Sequence, residues 1–266
     1  MAPPIADAFF VTDDGDNFVA TSYSRGPWSP DACHGGPPTA LVVRAAELAV
    51  PDMQLARINH DIHRPIPLDG FKVESEILRM GRSVAKVGIR LTVDGTLHSI
   101  ADALLLRKAS DRPEIKTADV PSPQISEAVA GGFPVKKRPN GHAFFDDALD
   151  IRYAPGSDDE SSGQTTLWMR TTVPILEDEE PSGFQSISPL SDCANGISPN
   201  QPFTEVAALN PDLTLAFHRE PRGDWFAMDA VTHAHPNGIG STEARLFDVD
   251  GPVGVASQTL LLNPGW

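Results

Sequence analysis

The chain has 266 residues, 40% hydrophobic and 7% aromatic, enough for one large domain or two small ones with a real core. Its 36 acidic and 21 basic residues leave a formal charge of −15, which argues against nucleic acid or an anionic membrane surface as partner. No apolar run approaches the roughly 18 residues of a membrane span, and Met1 to Phe10 lacks the basic start of a signal peptide, so a cytoplasmic location is expected.

Asn17 to Ser24 reads as a first strand, followed by a Gly/Pro loop through Pro30. Cys33 and Cys193, the two cysteines, read as free thiols of a reducing compartment; the adjacency of Cys33 and His34 does not make a nucleophilic dyad. His34-Gly35-Gly36-Pro37-Pro38 leads into an apolar helix over Thr39 to Val50, stopped by Pro51. Glycines there permit close backbone approach, and exposed N–H groups at a helix start can hold a carbonyl oxygen or an anion. His34, Gly35 and Gly36 are therefore candidate substrate-binding residues, set against the plainer reading of a tight turn onto a packed helix.

Four strands are expected next, over Leu55 to His63, Phe71 to Met80, Val84 to Val93 and Leu97 to Arg107, with turns at Gly81-Arg82 and Asp94-Gly95. The composition from about Lys108 to Asn140 is that of a linker with no strand and no functional role. Boundaries of 1–110, 111–140 and 141–266 follow for a first unit, a linker and a second unit. Beyond the linker, Phe144 to Tyr153 and Gln164 to Val173 read as strands around an acidic, Ser-rich loop. A short helix is expected around Leu190 to Ser198, with Ser188 as its cap, Pro189 in its first turn and Gly196 at its end. Asp192 then lies inside a mostly small and apolar helix, where a carboxylate needs a partner. Leu209 to Arg219, Trp225 to Thr232, Gly240 to Val249 and Val253 to Leu262 complete four more strands.

The halves repeat. His63-Arg64 and His218-Arg219 are 155 positions apart (218 − 63), as are Phe71 and Phe226. With one inserted residue, Val93-Asp94-Gly95 falls on Val249-Asp250-Gly251, and Asp102 falls on Gln258. A duplicated strand–helix–four-strand unit is implied, with each sheet wrapped around one helix and the sheets continuous across the join. An exposed sheet face or edge would also favour assembly into a homo-oligomer. A metal site is not expected: His233 with His235, and His60 with His63, each lack a third ligand. No Gly-x-Ser-x-Gly elbow occurs, which sets aside that class of hydrolase.

The ordered motifs His34-Gly35-Gly36, Arg64-Pro65 and Arg79-Met80-Gly81-Arg82, then Ser191-Asp192, Asn195-Gly196, Asp212-Leu213-Thr214, Phe217-His218-Arg219 and Val255-Ala256-Ser257-Gln258, span nearly the whole chain. Together they resemble the acyl-CoA thioesterase II family of double-hotdog proteins. The resemblance implies an α+β double hotdog that takes acyl-CoA in lipid metabolism and hydrolyses the thioester without metal or cofactor. It also implies a catalytic set of an Asp on the second-half helix, a Thr on the next strand and a Gln on the last strand. Asp192 and Gln258 match the first and last. The family's Thr stands two residues before an Asp; here that frame gives Asn210 before Asp212, and the nearby Thr is Thr214. Strand alternation would put Asn210 and Thr214 on one face, where either could serve. This departure motivates the competing expectation of a non-catalytic acyl-CoA binding protein of the same fold.

Overall fold

The computed structural model describes residues 6–109, 115–135, 143–160 and 163–264. Residues 1–5, 110–114, 136–142, 161–162 and 265–266 lie outside them, which takes in part of the expected linker (111–114 and 136–140) and two positions of the acidic loop. In chain order the elements are β1 (Phe10–Val11), β2 (Asn17–Ala20), α1 (Gly36–Ala49), β3 (Gln54–Ile62), β4 (Phe71–Met80), β5 (Val84–Val93), β6 (Thr96–Leu106) and β7 (Val129–Gly131). They continue with α2 (Ala143–Asp147), β8 (Leu149–Tyr153), β9 (Gln164–Thr171), α3 (Gly183–Ser191), α4 (Ala194–Ile197), β10 (Val206–Leu209), β11 (Asp212–Phe217), β12 (Phe226–His235), β13 (Ile239–Asp248) and β14 (Gly251–Pro264). No described helix is long and apolar enough to cross a membrane.

The strands form one antiparallel sheet in the order β1-β2-β4-β5-β6-β3-β11-β14-β13-β12-β9-β8-β7, with β10 on β14 beside β11. The order β2-β4-β5-β6-β3 in one half is mirrored by β9-β12-β13-β14-β11 in the other. The halves meet where β3 pairs with β11, and Asn59 lies opposite Thr214, the residue 155 positions on. The pseudo-twofold axis therefore passes through that pair. Alternation sends Ser99, Ala101, Ala103 and Leu105 of β6 inward, and likewise Ala256, Gln258 and Leu260 of β14. The helices α1 and α3 lie on this inner face and pack against each other, sharing one core that includes Phe9, Leu41, Phe184 and Leu215.

The repeat is more regular than the sequence matches imply. In β5–β6, Leu91 faces Ser99 and Thr92 faces Leu97; in β13–β14, Leu246 faces Gly254 and Phe247 faces Pro252. Every partner is shifted by 155, including the bulge, so no residue is inserted. The Val-Asp-Gly triplets mislead because turn chemistry tolerates a one-residue offset: the first turn is Asp94-Gly95, whereas Gly251 already begins β14. A one-residue slip turns a side chain to the other face of a sheet. The counterpart of Gln258 is hence inward-facing Ala103, while Asp102 points outward and pairs with Lys86 at 2.7 Å.

Other expectations are corrected by local packing. The second-half helix starts earlier, at Gly183, because Ser182 caps it by accepting the Gln185 N–H at 3.2 Å. Pro189 then falls inside the helix, and Asp192 caps its end rather than lying within it. Phe144 to Tyr153 is a short helix followed by a strand, and the first strand stops at Ala20, where Thr21 caps a 3-10 turn over Ser22–Ser24. The linker is not featureless. It supplies β7, and its Val120, Ile125 and Ala128 cover Trp168, Ala227 and Phe247 on the sheet face turned away from the helices. Asn210 lies between β10 and β11, before Pro211, so strand alternation does not relate it to Thr214.

Candidate active site

Two backbones meet where α1 begins and α3 ends. A Cβ on Gly36 would stand 2.2 Å from the Pro189 carbonyl oxygen, and one on Gly35 would stand 2.8 Å from Asp192 Oδ2. Only glycine fits at position 36, where the opposing atom is backbone; at position 35 an added methyl would push the Asp192 carboxyl out of place. Pro37 and Pro38 suit this first turn because they lack the N–H that would go unpaired there, which leaves the Gly36 N–H as the first-turn donor of α1. Just before it, the His34 N–H donates to the Ser24 carbonyl at 2.8 Å. The His34 ring stacks on Phe144 with centroids 4.6 Å apart and meets Phe145 edge-on at 5.0 Å.

Asp192 is buried against this helix start, 2% exposed. Its Oδ1 accepts from Asn210 Nδ2 at 2.7 Å and from Gln258 Nε2 at 3.1 Å. The Gln258 amide is fixed at both ends, since Nε2 also donates to the Asp192 carbonyl at 3.0 Å and Oε1 accepts the Asn195 N–H at 3.0 Å. Asn210 Nδ2 donates as well to the Asp212 carbonyl at 3.2 Å. The other carboxyl oxygen, Oδ2, stands 3.2 Å from His34 Nδ1, which also accepts the Gly36 N–H at 3.1 Å. Burial pushes the Asp192 pKa up to about 7; the amides of Asn210 and Gln258 and the Gly36 N–H oppose the rise. A carboxylate poised near neutrality, with one oxygen saturated by amides and the other against a helix start, can take a proton from water.

Asp192, Gln258, Asn210, His34, Gly35 and Gly36 thus converge. Thr214 does not: its hydroxyl donates to Asn59 across the join at 3.2 Å. The sequence reading assigned His34 to substrate, whereas here it adjoins the carboxyl. It also missed the surrounding aromatic residues, because Phe144 and Phe145 belong to a run that reads as strand. A cavity of about 20 Å³ beside the site is lined by Trp28, His34, Phe145, Cys193, Asn195 and Asn210, room for about one water. A larger groove, about 670 Å³, carries Asp13, Asp14, Asp69 and Asp94 and shares no residue with the site. Its acidity suits neither an acyl chain nor a phosphorylated carrier. Among the described residues no cluster of three His, Cys, Asp or Glu side chains could hold a metal.

The related crossing, where α3 begins and α1 ends, differs. Glu47 there accepts from Ser182 Oγ at 2.8 Å and from Gln185 Nε2 at 2.7 Å, which closes the helix cap. The counterparts of Asn210 and Gln258 are Leu55 and Ala103, so the repeat has left the amide pair on one side only.

A model of the acyl-CoA thioesterase N-terminal domain matches residues 24–107, and one of the acyl-CoA thioesterase C-terminal domain matches residues 121–262. Solved structures similar to this chain include a Novosphingobium aromaticivorans protein with a provisional thioesterase designation, at TM-score 0.76 and 21% identity, covering 96% of this chain and 98% of that one. A conserved hot dog protein of unknown function from Alicyclobacillus acidocaldarius gives TM-score 0.73 at 16% identity, covering 98% of both chains. The acyl-CoA thioesterase II of Mycobacterium marinum gives 0.65 at 14%, covering 97% of this chain and 96% of its own. At these identities the solved structures establish the double-hotdog fold. No curated protein matches the chain.

Proposed function

The chain belongs to the acyl-CoA thioesterase family, and from that premise we propose that it hydrolyses an acyl-CoA thioester to free acid and CoA, with Asp192 as general base. The observation that carries the reading is the buried Asp192 carboxyl, one oxygen held by two amides and the other beside His34 and the start of α1. In the proposed reaction Asp192 takes a proton from water as the water oxygen bonds to the thioester carbon. The carbonyl oxygen gains the negative charge, and the Gly36 N–H, which donates to His34 Nδ1 in the resting site, turns from the ring to stabilise it. Collapse reforms the carbonyl and breaks the C–S bond; the CoA thiolate leaves and takes up the proton held at Asp192. Gln258 and Asn210 keep the carboxyl oriented. In this reading Asn210 rather than Thr214 is the third member of the set, a choice supported by the contact of its amide with Asp192. The reading implies a role in lipid metabolism, in the cytoplasm.

A second reading, acyl-CoA binding without turnover, draws on Asn210 standing where the resemblance leads one to expect a Thr and on the small volume beside the carboxyl. Incubation of the pure protein with acyl-CoAs of several chain lengths, with a thiol reagent reporting free CoA, separates the two. Hydrolysis predicts CoA release well above background for at least one chain length. Tight binding with no release from any of them would select the second reading.

A further inference from the structure

Beneath the start of α1 lies a buried polar chain that the mechanism above does not use. His60 of β3 and Ser99 of β6 are each fully buried, as is Thr39 in the second turn of α1. His60 Nδ1 is 2.9 Å from Thr39 Oγ1, and His60 Nε2 is 2.9 Å from Ser99 Oγ. The direction of each bond can be worked out. The Thr39 hydroxyl donates to the Gly35 carbonyl at 2.8 Å, so its oxygen accepts from His60. His60 is therefore the Nδ1–H tautomer, and its Nε2 accepts the Ser99 hydroxyl. Burial holds the His60 pKa down, to about 4, so the ring stays neutral at ordinary pH. The Thr39 N–H donates to the same Gly35 carbonyl at 3.2 Å.

That carbonyl belongs to the peptide whose N–H is that of Gly36. A peptide is planar, so fixing the oxygen on one side fixes the direction of the N–H on the other. The internal repeat provides a control. Ser186 makes the corresponding bond from α3, its hydroxyl donating to the Ser182 carbonyl at 3.0 Å. The counterparts of His60 and Ser99, 155 positions on, are Leu215 and Gly254. The His–Ser extension exists only under the helix start that faces Asp192, although a buried imidazole and hydroxyl are costly where leucine and glycine suffice.

We propose that His60 is a positioning residue which, backed by Ser99, acts through Thr39 to lock the Gly35–Gly36 peptide plane so that the Gly36 N–H points into the site. The inference rests on the hydrolase reading for its kinetic consequence but not for its structural one. In Thr39→Val and His60→Leu, kcat should fall about tenfold or more with KM within about twofold, while Thr39→Ser retains kcat. His60→Asn, whose amide can replace the Nδ1 donor, should retain more activity than His60→Gln, and thermal melting shows whether each variant is folded. With the protein ¹⁵N-labelled at glycine, deuterium exchange of the Gly36 amide should quicken about tenfold in Thr39→Val and not in Thr39→Ser. Should the wild type release no CoA, the exchange measurement alone decides. Unchanged Gly36 exchange in folded Thr39→Val and His60→Leu overturns the proposal, as does unchanged kcat in a protein that does hydrolyse.

Discussion

Asp192→Asn should lose CoA release by a factor on the order of 10² to 10⁴, the usual range for removing a general base, while becoming more stable at pH 8. The carboxamide keeps the size of the side chain and one acceptor for Asn210 and Gln258, but it cannot take a proton from water. Stability moves the other way because the folded carboxyl has its pKa pushed up to about 7, above the ordinary 3.8. The stabilisation from holding that proton is full at acid pH. It is lost as pH rises from about 4 through about 7, since the unfolded chain releases its proton first. At about 1.4 kcal/mol per pH unit the loss is at most about 4 kcal/mol. The variant has no such loss. Urea unfolding at pH 8 should place its midpoint above that of the wild type, and at pH 4 the two should nearly coincide. A variant that turns over at the wild-type rate would remove Asp192 from the mechanism; equal midpoints at pH 8 would remove the strain.

Gly36→Ala should be the most damaging single methyl group that can be added near the site. Its Cβ would lie 2.2 Å from the Pro189 carbonyl oxygen, a backbone atom that cannot swing aside. Relief requires α1 and α3 to separate by about 1 Å, and a shift of that size can cost on the order of 10² in rate. Overpacking of this kind also destabilises by about 1–3 kcal/mol. Gly95→Ala is the control. That turn residue has φ of 76° and nothing within 4 Å of an added Cβ, so it should lose some stability and no activity. A Gly36→Ala protein with kcat/KM within about twofold of wild type would show that the tight crossing does not set the chemistry.

How much of this was legible depended on whether the signal was local. β4 and β5 occupy Phe71–Met80 and Val84–Val93, as the sequence predicts, because their alternation is bounded by clear turns. The repeat was legible but its phase was not: Asp94-Gly95 and Asp250-Gly251 look alike as turn chemistry, and only the ladder shows that they sit one residue out of step. That one residue decides whether Gln258 is the counterpart of an outward Asp102 or an inward Ala103. Asp192 and Gln258 could be paired through the family resemblance, although 66 positions separate them (258 − 192). The contact between His34 and Asp192 could not, since it depends on how closely α1 and α3 cross. The apolar pair Phe144-Phe145 read as strand because a short apolar run does not reveal its period. His60 drew attention as a metal-ligand candidate beside His63; burial and the partners Thr39 and Ser99 give it a different place.

The pH dependence of kcat/KM for the wild type, measured on its best acyl-CoA from about pH 5 to about pH 9, tests the central claim most directly. With Asp192 as the base, kcat/KM should climb about tenfold per pH unit below about 7 and level off above it. A profile that is flat through neutrality, or one that falls as Asp192 loses its proton, would contradict the account.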